Sequence, residues 1–219
     1  MSGHGQELLV FYIVCDESGS MGPNGGVDTI NRSLPELHQT LAEDPLVIDK
    51  TRISIIAFSN DADITLPLTQ AAEVDALPGV TAGGGTNYGA AFSTLEAAIT
   101  SDVDALKADG YRVYRPCVFF MSDGQPTDKR WEDQYESLMR HPYCPHILAF
   151  GVEQAKPDTL RKIATLKAYM AADGVAAGPA LASIMSSIGQ TVVASASQAG
   201  GQIVIPPTPP GIVDLGDPL

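Results

Sequence analysis

Basic residues and cysteines are both scarce in this sequence, and each shortage excludes a class of function. The 13 Lys and Arg residues are outnumbered by 26 Asp and Glu residues, which gives a formal net charge of −13. Nucleic acids and anionic membranes are bound through clusters of Lys and Arg, so we expect neither as the main partner. The three cysteines include no Cys-x-x-Cys pair, which argues against a disulfide framework and against zinc.

Signals for secretion and for membrane insertion are also missing. The first residues, MSGHGQELLV, lack a cationic segment followed by a long apolar run, so they make a poor signal peptide. No apolar run reaches the roughly 18 residues that a membrane span requires. We therefore expect a cytoplasmic protein, and one that is a monomer on its own.

What the sequence does contain is the pattern of an α/β domain. Of its 219 residues, 44% are hydrophobic and 18% are charged, which is enough apolar material for a sizeable core. Strand-like apolar runs alternate with segments of helical periodicity, as in parallel strands joined by helices. The runs are ELLVFYIVC, RISIIAFS, YRPCVFFMS and HILAFGV. The sequence predicts a mostly parallel sheet covered by helices on both faces.

Other segments complete the predicted domain. The segment VDTINRSLPELHQTLAED is predicted as a helix that Pro35 kinks or breaks. ITLPLT is predicted to return antiparallel at an edge of the sheet, where its proline is tolerated. DTLRKIATLKAYMAA and PALASIMSSIGQTVVASAS are predicted as two closing helices. We expect a domain at residues 6–198 and a Pro/Gly-rich tail at 199–219, whose PPTPP segment is either a linker or a recognition motif.

Polar side chains collect at the predicted carboxyl ends of the strands, where open parallel sheets bind ligands. Asp16, Ser18 and Ser20 follow the first strand, Asp123 follows the third buried strand, and Thr86 joins a glycine-rich loop to a helix. Two carboxylates and three hydroxyls with no nearby Lys or Arg form an electronegative pocket of oxygen ligands. Such a pocket suits a hard divalent cation: Mg²⁺, Mn²⁺ or Ca²⁺.

Each of these residues also has an ordinary structural explanation. Asp16, Ser18 or Ser20 alone could form a turn or cap a helix, and Thr86 could cap the helix that follows it. Asp123 precedes a glycine in a common turn dipeptide. Independent caps have no reason to occupy adjacent strand ends, so the combination favours a metal site.

Three motifs in this order, DESGS, GGTNYGAA and FFMSDGQPTD, resemble the von Willebrand factor A domain with its metal-ion-dependent adhesion site. The resemblance covers about residues 6–198. Within the family, the chain looks most like the compact bacterial members associated with tellurite-resistance and stress operons. It implies a doubly wound, mostly parallel sheet with one short antiparallel edge strand, and a divalent cation, Mg²⁺ foremost. Ser18, Ser20 and Thr86 would supply hydroxyl ligands, and Asp16 and Asp123 would support the ion directly or through water.

The same resemblance implies a function in binding rather than in catalysis. In the family, an open coordination position accepts a Glu or Asp carboxylate from a protein partner. Tyr88 and Trp131 are either further contacts for that partner or ordinary packing residues. The alternative is a Mg²⁺-dependent phosphatase of the haloacid-dehalogenase type, but its second Asp would stand where this chain has Ser18. We therefore expect a binding module that is not an enzyme.

Overall fold

A single mixed sheet forms the centre of the protein in the computed structural model, which describes residues 5–22, 25–216 and 218. Eight strands form the sheet in this part of the chain: β1 (Glu7–Asp16), β2 (Thr51–Phe58), β3 (Ala62–Thr69), β4 (Arg112–Val113), β5 (Cys117–Ser122), β6 (His146–Gly151), β7 (Lys167–Ala171) and β8 (Ile212–Asp214). Their spatial order is β3-β2-β1-β5-β6-β7-β8, and β4 pairs with the start of β1. The pairs from β2 through β7 are parallel, so the predicted doubly wound α/β fold is confirmed.

Helices cover both faces of this sheet. They are α1 (Gly26–Glu43), α2 (Pro45–Lys50), α3 (Tyr88–Ala108), α4 (Trp131–Arg140), α5 (Pro157–Ile163) and α6 (Ala177–Ala196). Buried side chains of α1, α2 and α6 form one hydrophobic cluster with the sheet, and those of α3, α4 and α5 form the other. Measured against the length and hydrophobicity that a bilayer demands, no helix of the described residues could serve as a membrane span.

The continuous apolar sequence of β1 follows from its position between the two layers of helices. Leu9, Phe11 and Ile13 enter the cluster on one face, and Val10 and Tyr12 enter the cluster on the other. A strand that is buried on both faces needs apolar side chains at every position rather than at alternate ones. The aligned parallel strands bring their carboxyl ends to a single edge, where the polar side chains lie.

Both outer strands of the sheet are antiparallel to their neighbours. β3 contains ITLPLT and pairs antiparallel with β2, as predicted. The prediction of one antiparallel edge strand is incomplete, because β8 pairs antiparallel with β7 at the opposite edge. β8 belongs to the Pro/Gly-rich tail, and Ile212 packs into the hydrophobic core. This part of the tail is therefore not a free linker.

Two helix predictions need correction. DTLRKIATLKAYMAA does not form one helix, because α5 ends at Ile163 and the chain continues as β7. Ala168 and Tyr169 are buried in that strand, which pairs with β6, so sheet formation overrides the helical pattern. In α1, the chain is helical on both sides of Pro35, which is exposed, so of the two predicted outcomes, a kink or a break, the break does not occur.

Candidate metal centre

The two carboxylates of the predicted site lie at the ends of neighbouring strands. Asp16 is the last residue of β1, and Asp123 follows the last residue of β5. These strands pair in parallel, with Cys15 opposite Met121, so both carboxylates emerge at the same edge of the sheet. This topology explains why residues 107 positions apart in the chain belong to one site.

The serines of the DESGS motif connect the two strand ends. The Ser20 hydroxyl donates a hydrogen bond of 2.9 Å to Oδ1 of Asp123, and the Ser18 hydroxyl lies 3.5 Å from the same oxygen. The two serine Oγ atoms are 3.0 Å apart. Three of the predicted ligand side chains therefore share one small space.

Asp16 is fixed by hydrogen bonds from the end of β5 and from the turn that follows β1. Ser122 Oγ donates to its Oδ2 at 2.5 Å, and the Ser18 amide donates to its Oδ1 at 2.8 Å. Ser122 was not among the predicted site residues, although it directly precedes Asp123 in the sequence. It orients the Asp16 carboxylate and occupies one of its oxygen atoms.

Thr86 approaches the site from the glycine-rich loop. It is buried beside Gly124, so close that a Cβ on that glycine would lie 3.3 Å from Thr86 Oγ1. The backbone of Thr86 is held on both sides by Thr127, whose amide donates to its carbonyl at 2.9 Å and whose Oγ1 accepts from its amide at 3.2 Å. Its hydroxyl does not cap α3, because Asn87 is the N-cap residue and accepts from the Ala90 amide.

The DESGS turn and the glycine-rich loop are joined through their backbones. The Gly19 amide donates to the carbonyl of Gly84 at 3.0 Å, and the Gly83 amide donates to the carbonyl of Glu17 at 2.8 Å. Gly84 has φ +76°, a conformation that suits glycine. A Cβ at this position would also lie 3.0 Å from the Asn60 side chain. Gly84 is therefore the position in this contact where a side chain would be unfavourable.

Burial makes the negative charges of the site costly when no cation balances them. Burial raises the pKa of Asp16 to about 6, although hydrogen bonds from Ser122 and Ser18 oppose this increase. Burial also raises the pKa of Asp123, and a nearby negative charge on Glu153 adds to the effect. A buried carboxylate normally has hydrogen-bond partners, yet Oδ2 of Asp123 has none among the described residues.

The donor set fits a hard divalent cation. Among the described residues, no three His, Cys, Asp or Glu side chains come together as a metal-binding group. The oxygens brought together instead belong to the carboxylates of Asp16 and Asp123 and to the hydroxyls of Ser18 and Ser20, with Thr86 buried beside Gly124. Such oxygen ligands suit Mg²⁺, Mn²⁺ or Ca²⁺, and the unpaired Asp123 oxygen would be satisfied by a cation or by its bound water.

The two aromatic residues considered as partner contacts are packing residues instead. The Tyr88 side chain is fully buried and that of Trp131 is 7% exposed. Tyr88 packs edge-on against Phe92 and Phe120, and Trp131 packs in a tilted orientation against Phe92. Sequence reasoning also missed Asp128, which accepts hydrogen bonds from the first two amides of α3 and so fixes the start of that helix.

Comparison with known proteins identifies the family. The family model for the von Willebrand factor type A domain matches residues 11–184. A search of curated protein sequences found no match.

Solved structures show the same fold. A von Willebrand factor type A protein from Catenulispora acidiphila has a TM-score of 0.62 and 17% identity, covering 85% of this chain and 43% of that one. Proximal thread matrix protein 1 from the mussel byssus, in a structure with a zinc-occupied metal-ion-dependent adhesion site, has a TM-score of 0.60 and 14% identity. The match covers 87% of this chain and 49% of that one. The pilus adhesin SpaC from Lactobacillus rhamnosus GG, in an open conformation, has a TM-score of 0.65 and 12% identity. The match covers 85% of this chain and 30% of that one.

This chain thus spans less than half the length of each of these structures. At such low identities, the structural similarity establishes the fold rather than a shared ligand. The family match covers most of the sequence and does not depend on these structures. The chain belongs to the von Willebrand factor type A family, a family of metal-dependent adhesion and interaction modules.

Proposed function

We propose that this protein is a metal-dependent protein–protein interaction module without enzymatic activity. The hydroxyls of Ser18, Ser20 and Thr86 would hold a divalent cation, and Asp16 and Asp123 would support it directly or through water. The observation that carries this proposal is the buried Oδ2 atom of Asp123, which lies within a group of oxygen ligands and has no hydrogen-bond partner in the part of the chain that the structure describes. Mg²⁺ is the best-suited ion, with Mn²⁺ and Ca²⁺ as the alternatives.

The chemistry of the donors supports a role in binding an acidic partner. Hydroxyl ligands carry no charge, so a cation held mainly by hydroxyls keeps much of its attraction for a further anion. A partner would supply that anion as the carboxylate of Glu or Asp. Since the chain has a formal net charge of −13, a carboxylate would otherwise be repelled at the surface.

The phosphatase alternative has weaker support. A haloacid-dehalogenase-type enzyme needs a second Asp two residues after the first, and Ser18 stands there with its hydroxyl directed to Ser20 and Asp123. The family comparison gives no support for this activity. With Mg²⁺ and a generic aryl phosphate, we expect no turnover above that of an Asp16→Ala variant.

The cellular setting is part of the same proposal. We place the module in the bacterial cytoplasm as a monomer that meets its partner there, without nucleic acid or membrane as a ligand. The formal net charge of −13 supports the exclusion of nucleic acid and of anionic membranes. Membership of the tellurite-resistance and stress-operon group is retained as a prediction from the motifs alone.

A capture experiment tests this function. The immobilised protein is exposed to a cell extract with Mg²⁺, with a chelator, or with Mg²⁺ and added salt. We expect capture to be lost in the chelator and only weakened by salt, because the ion is held in a buried site that salt screens poorly. Thr86→Ala should reduce capture while leaving the unfolding transition nearly unchanged. Capture that persists undiminished in chelator would contradict the proposal.

A further inference from the structure

Glu153 has a backbone conformation that is unusual for a residue with a side chain. Its φ is +52°, in the left-handed region, and every other residue with such a φ in the described part of the chain is a glycine. Glycine adopts this conformation without steric cost, whereas other residues are strained there. Strain of this kind often accompanies a functional position.

The hydrogen bonds around Glu153 place it against the metal centre. It follows the end of β6, and the neighbouring residues on either side are bonded to the end of β5. The Val152 amide donates to the Ser122 carbonyl at 3.1 Å, and the Gln154 amide donates to the Asp123 carbonyl at 3.0 Å. Glu153 is thereby held beside Asp123, at the exposed rim of the site.

Its charge acts on the site as well. The Glu153 carboxylate lies near enough to Asp123 for the two negative charges to repel each other. Together with Asp16 it brings three acidic side chains to one edge of a chain that already carries a formal net charge of −13. Such an arrangement is unfavourable in the metal-free protein and becomes favourable when a divalent cation is bound.

We propose that Glu153 is a further residue of the metal centre, held in a strained conformation beside Asp123 so that its carboxylate strengthens cation binding. This inference rests on the metal-binding function proposed above. Glu153 acts through its charge at the rim of the site, as residues around metal ligands commonly do. The strained backbone and the added negative charge both lower the stability of the metal-free protein.

Three substitutions separate the charge from the strain. Glu153→Gln removes the charge and keeps a side chain in the strained conformation, whereas Glu153→Gly removes both. Glu43→Gln is the matched control, because it makes the same charge change at the last residue of α1, where Glu43 is exposed. Each variant is titrated with Mn²⁺ by calorimetry and is unfolded thermally in chelator.

We expect Glu153→Gln and Glu153→Gly each to weaken Mn²⁺ binding by about tenfold, with Glu43→Gln within about twofold of the original protein. In chelator, Glu153→Gly should also raise the melting temperature by about 1–3 °C, because the strain is relieved. Weaker metal binding in a more stable protein is a combination that a purely structural role would not produce.

The controls distinguish the two proposals. If the unaltered protein and Glu43→Gln bind Mn²⁺, Asp16→Ala does not, and both Glu153 variants bind as tightly as the control, then the role of Glu153 is refuted and the metal site stands. If the unaltered protein binds no Mn²⁺, both proposals are overturned. A decrease in affinity of the same size in Glu43→Gln would also refute the role of Glu153, because it would reflect net charge alone.

Discussion

Asp16 and Asp123 differ in how the protein satisfies their oxygen atoms. Both oxygens of Asp16 accept hydrogen bonds, from the Ser122 hydroxyl and from the Ser18 amide. Asp123 has one oxygen bonded to Ser20 and one buried oxygen with no partner in residues 5–22, 25–216 and 218. Asp16 is therefore oriented by the protein itself, whereas Oδ2 of Asp123 would gain its partner from a bound cation or from the water on that cation. At the residue scale, this asymmetry is the clearest sign of a ligand.

The raised pKa of Asp16 predicts how the stability of the metal-free protein changes with pH. Burial raises this pKa to about 6 in the folded protein, against about 3.9 in the unfolded chain, so folding favours the protonated carboxyl. The resulting stabilisation is complete below about pH 4 and is lost as the pH rises through 6. We expect the free energy of unfolding in chelator to fall by about 1–3 kcal/mol over this range, relative to Asp16→Asn.

Urea unfolding at several pH values measures this difference. The comparison with Asp16→Asn is needed because other carboxyl groups, such as Asp214 with its lowered pKa, change stability in the opposite direction. Parallel pH profiles for the two proteins would contradict the prediction. Saturating Mg²⁺ should reduce the difference in profile, because the cation then stabilises the ionised carboxylate.

At the scale of elements, two loops must meet for the site to exist. The DESGS turn is bonded to the glycine-rich loop through Gly19 and Gly84. Gly84 has φ +76°, and a Cβ built there would lie 3.0 Å from the Asn60 side chain, whereas a Cβ on Gly83 would meet no atom of the described residues within 4 Å. The two adjacent glycines therefore differ sharply in what they tolerate.

This difference gives a matched pair of variants. Gly84→Ala should lower the free energy of unfolding by about 1–2 kcal/mol, because alanine is strained at that φ and crowds Asn60. It should also weaken Mg²⁺ binding by up to about tenfold, since Gly19 and Ser20 depend on the same contact. Gly83→Ala should leave both quantities nearly unchanged. Equal effects of the two substitutions, measured by urea unfolding and calorimetry, would show that the loop geometry does not matter.

The tail is the second element with a testable role. Ile212 is 8% exposed in β8, whereas Val213, the next residue, is 47% exposed. Ile212→Ala should therefore lower the free energy of unfolding by about 2 kcal/mol, and Val213→Ala by less than about 0.5 kcal/mol. If both changes leave the urea midpoint unaltered, the packing of β8 contributes nothing to the stability of the domain.

The elements also show where the sequence is informative. β1 and β3 are both predicted correctly as strands. A strand buried on two faces has a continuous apolar sequence, and an edge strand tolerates a proline. β7 and β8 were not predicted as strands, because KAYMA continues a helical periodicity and β8 is only three residues long. β7 and β8 form because they pair with neighbouring strands in the sheet, and that pairing cannot be predicted from the local sequence.

The metal site likewise has some features that the sequence predicts and others that only the folded structure reveals. As predicted, the structure brings together Asp16, Ser18, Ser20 and Asp123, because the carboxyl ends of parallel strands lie at one edge of the sheet. Glu153 had no sequence signal, because its relevance lies in a positive φ that only the structure reveals. The contacts of Ser122 and Asp128 likewise depend on the register of the folded chain.

At the scale of the whole molecule, one edge of an acidic α/β domain is organised around a group of oxygen donors. The chain carries a formal net charge of −13, and repulsion between acidic groups disfavours the compact state. Buried carboxylates at the end of β1 and just beyond β5 add to that repulsion unless a cation is present. At this edge of the sheet Ser18 and both carboxylates are buried, and Ser20 is exposed.

The most direct test of the metal site is a crystal structure with Mn²⁺, located by its anomalous scattering. We expect one strong peak at the carboxyl edge of the sheet, about 2.0–2.6 Å from Ser18 Oγ and Ser20 Oγ and adjacent to Asp123 Oδ2. Crystals of an Asp16→Ala variant, grown and soaked in the same way, should lack it. A peak elsewhere on the molecule, or no peak at a saturating Mn²⁺ concentration, would contradict the claim that these side chains bind a divalent cation.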